Sequence, residues 1–184
     1  MKAYLQRIDT QTPGPRCDVT PVFTDAGAFT QLVNDLAEPF LMTAIDYVAG
    51  IDALGFILGT ALALRLNKGF LAVRKKGKLP VAVLTAEFVD YTGTQKGLEI
   101  RQGVLKPGDR VLVVDEWIET GAQVQAAIDL IEQAGAQVAG IAAINIDCGP
   151  IPLSLCERYP CHAVWFNMQP PVAQPPLARS GGSP

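Results

Sequence analysis

Four apolar residues, Val111 to Val114, run without a break into two adjacent carboxylates, Asp115 and Glu116. An unbroken apolar run is what a parallel strand buried on both faces requires. A short loop centred on Thr120-Gly121 follows. Val124, Ile128 and Ile131 then recur at helical spacing, which predicts a helix over 122–134 ended by Gly135. Val138 to Ile146 reads as a second buried strand, so the order strand, helix, strand implies a right-handed parallel crossover. The loop after the first strand then lies at the carboxyl edge of an open α/β sheet, where ligands bind. Backbone N–H groups opening the following helix suit a phosphate. Two neighbouring carboxylates can each accept a hydrogen bond from a vicinal diol. A diol acceptor beside a phosphate cradle describes a site for a ribose 5-phosphate.

The rest of the chain supplies the frame. Residues 9–25 are rich in Pro, Gly, Thr and Asp and read as loop with short extended pieces. Thr24 or Asp25 can cap a helix from Ala28 to Ala44, with Phe29, Leu32, Val33, Leu36, Phe40 and Leu41 on its apolar face. Asp46 to Asp52 reads as a short strand, followed by a tight turn and a helix from Phe56 to Leu66 that stops at Asn67-Lys68-Gly69. Phe70 to Val73 is the next strand and runs into the cationic loop Arg74 to Lys78. Residues 81–102 read as two extended arms joined through Tyr91 to Thr94, and Lys106 to Asp109 turns the chain into the strand 111–114. The expected organisation is one domain over 1–168. The tail over 169–184, rich in Pro, Gly and Ser, is expected to be mobile and outside the core.

Composition narrows the partners. At 184 residues the chain can bury roughly 70% of its unfolded surface. It is 49% hydrophobic and 18% charged, an apolar globular composition. A formal charge of −3 argues against a nucleic-acid surface. No run is long and apolar enough to span a membrane, and Met1 to Arg7 lacks the apolar core of a signal peptide, so a cytoplasmic protein is expected. Cys17, Cys148, Cys156 and Cys161 contain no C-x-x-C pair. A redox or zinc-binding reading built on them and His162 therefore ranks far behind ligand binding.

The segment Arg110 to Val124 resembles the signature of the type I phosphoribosyltransferases. The likeness extends to Gly55-Phe56-Ile57-Leu58-Gly59, Asn67-Lys68-Gly69-Phe70, Arg74 to Pro80, Lys96-Gly97-Leu98-Glu99-Ile100 and Leu105 to Val111. Upstream, Asp18-Val19-Thr20-Pro21 and Asp46 to Asp52 fit as well, so it covers about residues 13–148 and is greatest to the adenine-specific members. The resemblance implies an α/β fold, a parallel sheet flanked by helices with strand 111–114 central, and a small N-terminal hood. It implies transfer of ribose 5-phosphate from phosphoribosyl pyrophosphate to a purine base, giving a nucleoside monophosphate and pyrophosphate. Magnesium would accompany the substrate, with no metal held by the protein directly, and a homodimer would place the Arg74–Lys78 loop near the partner's site.

Carried over position by position, Asp115 and Glu116 hold the ribose hydroxyls. Glu119, Thr120, Gly121, Ala122 and Gln123 form the phosphate loop. Ala53, Leu54, Arg74 and Lys75 face pyrophosphate, Arg16 and Cys17 face the base, and Asp90 and Glu119 are the candidates for managing a proton on the base. Several positions depart from the family pattern. Leu54 stands where an Arg is usual, and Ala122-Gln123 stands where Gly-Thr is usual. Asp90 replaces a Glu, and Arg16-Cys17 lacks the usual aromatic residue. Glu119 occupies a position that is small in adenine-type members and acidic in hypoxanthine- and guanine-type ones. These departures imply slow turnover with adenine. They leave a second reading open, a regulatory protein that binds nucleotide or phosphoribosyl pyrophosphate without turning it over.

Overall fold

A computed structural model describes residues 2–13, 17–90 and 93–165. Seven strands form one sheet: β1 Tyr47–Ile51, β2 Gly69–Lys75, β3 Val83–Val89, β4 Gln95–Arg101, β5 Arg110–Ile118, β6 Gln137–Ile146 and β7 Cys161–Trp165. Their order is β3-β4-β2-β1-β5-β6-β7. The five strands from β2 to β7 in that order are mutually parallel, with β5 in the middle. The expected parallel sheet is therefore extended into a mixed one, because β4 pairs antiparallel with both β2 and β3. The helices are α1 Thr20–Phe23, α2 Ala26–Ala37, α3 Leu54–Leu66, α4 Ala122–Gln133 and α5 Pro150–Arg158. Among the described residues no helix is long and apolar enough to cross a membrane.

The apolar run of β5 is divided between two cores. Leu112 and Val114 pack on one face with Leu32 and Leu36 of α2 and Leu58 and Leu62 of α3. Val111 and Val113 pack on the other with Ile128 and Ile131 of α4 and Leu98 and Ile100 of β4. All four β5 residues are fully buried, each contributing about 1.5–3 kcal/mol. Burial on both faces explains why no polar residue interrupts the run. The strand continues through Ile118, four residues past its expected end, because Trp117 and Ile118 still pair with Asn145 and Ile146.

Other boundaries shift for local reasons. Asp25 is the cap of α2, its side chain accepting from the Ala28 N–H at 2.7 Å. The helix ends at Ala37, not Ala44, because Pro39 has no N–H to continue it and the chain tightens into a 3-10 turn over Glu38–Phe40. Helix α3 starts at Leu54, two residues before the expected Phe56, and stops where Asn67 adopts a left-handed conformation with φ 54°. Helix α5 and strand β7 are additions to the expected elements. The expected boundary at 168/169 and the tail lie outside the described residues.

Backbone contacts bring α3 to the carboxyl end of β5. A Cβ on Gly50 would stand 2.4 Å from the Gly55 carbonyl oxygen, and one on Gly55 would stand 2.8 Å from that of Val114. Only glycine permits this approach, which sets the turn Asp52-Ala53-Leu54 beside Asp115. The β3–β4 hairpin reaches the same place from the sheet's other side. Its anchor is Glu99, 2% exposed, which accepts the backbone N–H groups of Gly77, Lys78 and Leu79 at 2.8, 2.7 and 2.6 Å. Burial alone would raise the Glu99 carboxyl. The three donors and the Arg74 guanidinium more than reverse this and hold it below its usual range.

Candidate functional site

A cleft of about 320 Å³ opens between the turn after β1, the carboxyl end of β5 with the loop that follows, and the β3–β4 hairpin. Asp115 lies at its floor, 4% exposed. One oxygen accepts the Glu116 N–H at 2.9 Å and the other accepts from Gln123 Nε2 at 3.2 Å. Burial, then the hydrogen bond and charge of Glu116, push the Asp115 carboxyl well above its usual range; the Glu116 N–H and the Gln123 amide act in the opposite direction. Glu116 lines the cleft beside it.

The loop Glu119–Gln123 turns on Gly121, whose φ of 77° starts α4. A side chain there would meet Ile151 at 2.9 Å and Pro152 at 3.0 Å, so packing against α5 and backbone conformation both require glycine. Glu119, Thr120, Gly121 and Gln123 line the cleft. Thr120 Oγ1 takes the Ala122 N–H at 3.4 Å. The first N–H groups of a helix have no partner within it, and this end of α4 opens onto the cleft. Gln123 lines the cleft with the rest of the loop, and its amide donates to Asp115.

The cationic residues separate. Lys75 lines the cleft with Ala53 and Leu54. Arg74 is not among the residues that line the cleft; its Nε lies 3.5 Å from Oδ2 of Asp52, which does line it. Asp90 lines the cleft and also closes the hairpin, accepting the Thr94 N–H at 3.1 Å. It pairs with Lys96, a cleft residue that the sequence reading passed over. Phe88 and Trp117 complete the apolar part of the wall. Of the expected base-pocket residues, Arg16 lies outside the described residues. Cys17 packs against the apolar cluster that also carries Trp117 and Trp165. Burial, then the charges of Asp147 and Asp9, push its thiol up. Among the described residues no group of three or more His, Cys, Asp or Glu side chains stands together to hold a metal ion.

Residues 22–147 match the phosphoribosyl transferase domain. The chain belongs to that family. Among its relatives, the adenine phosphoribosyltransferase of Methylobacterium nodulans is 47% identical over 121 residues, 66% of this chain and 66% of that protein. That of Jannaschia sp. is 46% identical over 125 residues, 68% of this chain and 69% of the other. The matched stretch with the first of these thus falls just short of two thirds of the relative's own length. Among solved structures, adenine phosphoribosyltransferase from Rhodothermus marinus superposes with a TM-score of 0.79 at 37% identity, over 88% of this chain and 94% of that one. The Saccharomyces cerevisiae enzyme, complexed with adenine and an imino-altritol bisphosphate, gives 0.74 at 28% identity over 90% and 100%. The phosphoribosyltransferase fold expected from the sequence is the fold observed.

Proposed function

We propose that this phosphoribosyltransferase family member moves the 5-phosphoribosyl group of phosphoribosyl pyrophosphate onto a ring nitrogen of adenine, yielding AMP and pyrophosphate. The carrying observation is the placement of Asp115 and Glu116 in one cleft with the Thr120-Gly121 start of α4, in a chain whose relatives are adenine phosphoribosyltransferases. The carboxylates take the ribose diol and the helix start takes the 5-phosphate, which fixes the anomeric carbon between them. The bond from that carbon to pyrophosphate breaks, the bond to the base nitrogen forms, and the sugar carries positive charge between the two events. The buried Asp115 and the neighbouring Glu116 stabilise that charge best in a site from which water is excluded. The proton released from the base nitrogen passes to a cleft carboxylate, Asp90 or Glu119.

Lys75 faces the leaving pyrophosphate on the side where Leu54 offers no charge. Magnesium fits as a cation carried in on pyrophosphate. Asp52, Asp115 and Glu116 give hard oxygen donors along the cleft without forming a three-ligand cage, and magnesium commonly binds through one or two carboxylates plus substrate phosphates. When bound it neutralises pyrophosphate. The engagement of Gln123 with Asp115 favours a second reading, in which the cleft holds a phosphoribosyl ligand without turnover because the amide draws on the charge that Asp115 would offer a cationic sugar.

Titration with ribose 5-phosphate tests the shared part of both readings. Thr120→Asp places a negative charge at the phosphate loop, and affinity falls by about tenfold or more, the cost of roughly 1.4 kcal/mol. Unchanged affinity would remove the loop from the site.

A further inference from the structure

Cys156 and Cys161 lie outside the cleft, and their spacing in the chain is not C-x-x-C. The fold nonetheless brings them together. Cys156 is exposed on the last turn of α5, and Cys161, half-buried, opens β7. A side-chain hydrogen bond joins the two thiols. The turn between them is held at three points. The Tyr159 N–H donates to the Leu155 carbonyl at 2.9 Å, and the Ile141 N–H of β6 donates to the Pro160 carbonyl at 2.9 Å. The Tyr159 hydroxyl donates to Glu132 of α4 at 2.8 Å. The two sulfurs are thus kept together by contacts that involve neither thiol.

We propose that Cys156 and Cys161 form a reversible dithiol site, oxidised to a disulfide by small disulfides of the glutathione class, and that the bond braces α5 against the sheet. Cys156 is the exposed thiol and meets the oxidant first. Its thiolate attacks one sulfur of the oxidant; the other sulfur leaves as a thiolate and takes up the proton that Cys156 gave up. Cys161 then loses its proton to solvent and attacks the Cys156 sulfur of the mixed disulfide, expelling the second small thiol. Two protein thiols become one disulfide, and the oxidant is reduced to two thiols. Burial, then the hydrogen bond and charge of Cys156, push the Cys161 thiol up, so it stays protonated until Cys156 has reacted. The mixed disulfide removes the Cys156 charge that helped to hold that proton. Helix α5 is lightly anchored, since Pro152 and Leu155 are its buried residues, and elements with few buried contacts open locally. Its first turn is nevertheless the wall behind the phosphate loop, where Ile151 and Pro152 close on Gly121. The pair stands outside the cleft, so its oxidation does not depend on what the cleft binds.

The native full chain is treated with oxidised glutathione, its remaining thiols are blocked, and it is cut with trypsin without reduction before mass analysis. Arg158 lies between the two cysteines, so cleavage after it leaves the segment ending at Arg158 and the segment beginning at Tyr159 joined only by the new bond. That linkage is expected, with no glutathione left on Cys156 or Cys161, and dithiothreitol releases it. The segment ending at Arg158 also carries Cys148, and C156S separates the two cases: the linkage disappears in that variant. C161S keeps glutathione on Cys156, the first step trapped. In the oxidised native protein, amide exchange of α5 slows by about tenfold or more, as closing a short loop around a locally opening element requires. Linkage that survives in C156S, glutathione retained on Cys156 of the native protein, no reaction at either cysteine, or unchanged exchange of α5 would each overturn the inference. The linkage and exchange measurements use the native protein, so they do not depend on either variant folding.

Discussion

At the scale of single residues, the site is held at a cost that pH reveals. Asp115 is buried beside Glu116, and its folded-state value lies above the ordinary 3.8. The folded protein therefore holds that proton more tightly than the unfolded chain does. The contribution of Asp115 to stability is fullest below 3.8 and is lost as pH rises through the raised value. Asp115→Asn removes the loss. The variant is expected to melt above the native protein at about pH 8, with the gap closing towards about pH 4. Each kcal/mol moves the midpoint by about 2–4 °C in a domain of this size. The same variant binds ribose 5-phosphate more weakly, because an amide offers one acceptor where the carboxylate offers two. Calorimetric melting at the two pH values checks the first half, and an unchanged gap would show that Asp115 is not burdened by its burial. Gln123, which stands where a small hydroxyl is usual, is part of the same balance, since its amide donates to Asp115.

At the scale of elements, α3 has an apolar face with no cover in the single chain. Ile57 and Leu64, seven residues apart and so on one side of the helix, are 41% and 79% exposed. Phe70 of β2, 37% exposed, stands nearby with its ring against Phe56. Together with the cationic turn pinned by Glu99, this supports the proposal of a homodimer through α3 and β2. Sedimentation at micromolar concentration is expected to show dimers for the native chain and mostly monomers for Leu64→Asp, which buries an unpaired charge in any such contact. A native monomer would contradict the dimer.

Elements with a strong pattern were legible in advance. The runs in β5 and β6, the period of α4, and the two arms of the β3–β4 hairpin are carried by patterns of burial that local residues alone display. Pro39 shows the opposite case, a single residue overriding a continuing apolar pattern. Helix α5 and strand β7 are short, and α5 begins with Pro150 and Pro152, which reads as a loop until packing against Gly121 gives it a place. The site followed the same division. Asp115, Glu116, Thr120 and Gly121 fall within one short stretch of sequence and are readable. Lys96 and Phe88 enter only through the hairpin's fold over the cleft, and Trp117 reads as loop because nothing local shows that β5 continues to pair.

At the scale of the whole molecule, the parallel core of the sheet does what no segment does alone. It places the turn 52–54, the end of β5 and the tip of a distant hairpin around a single cavity of about 320 Å³. Leu54 and Gln123 make that cavity less cationic and more internally bonded than the family pattern, and turnover is expected to be slow for that reason; a missing charge contact costs roughly a hundredfold. The chemistry nonetheless requires both products to appear together. The deciding measurement is the formation of AMP and pyrophosphate from adenine and phosphoribosyl pyrophosphate with magnesium. The native protein is expected to release the two in equal amounts, and Asp115→Asn to lower the rate by about a hundredfold. Binding of ribose 5-phosphate without AMP formation from adenine would contradict transfer and leave a ligand-binding protein on the same fold.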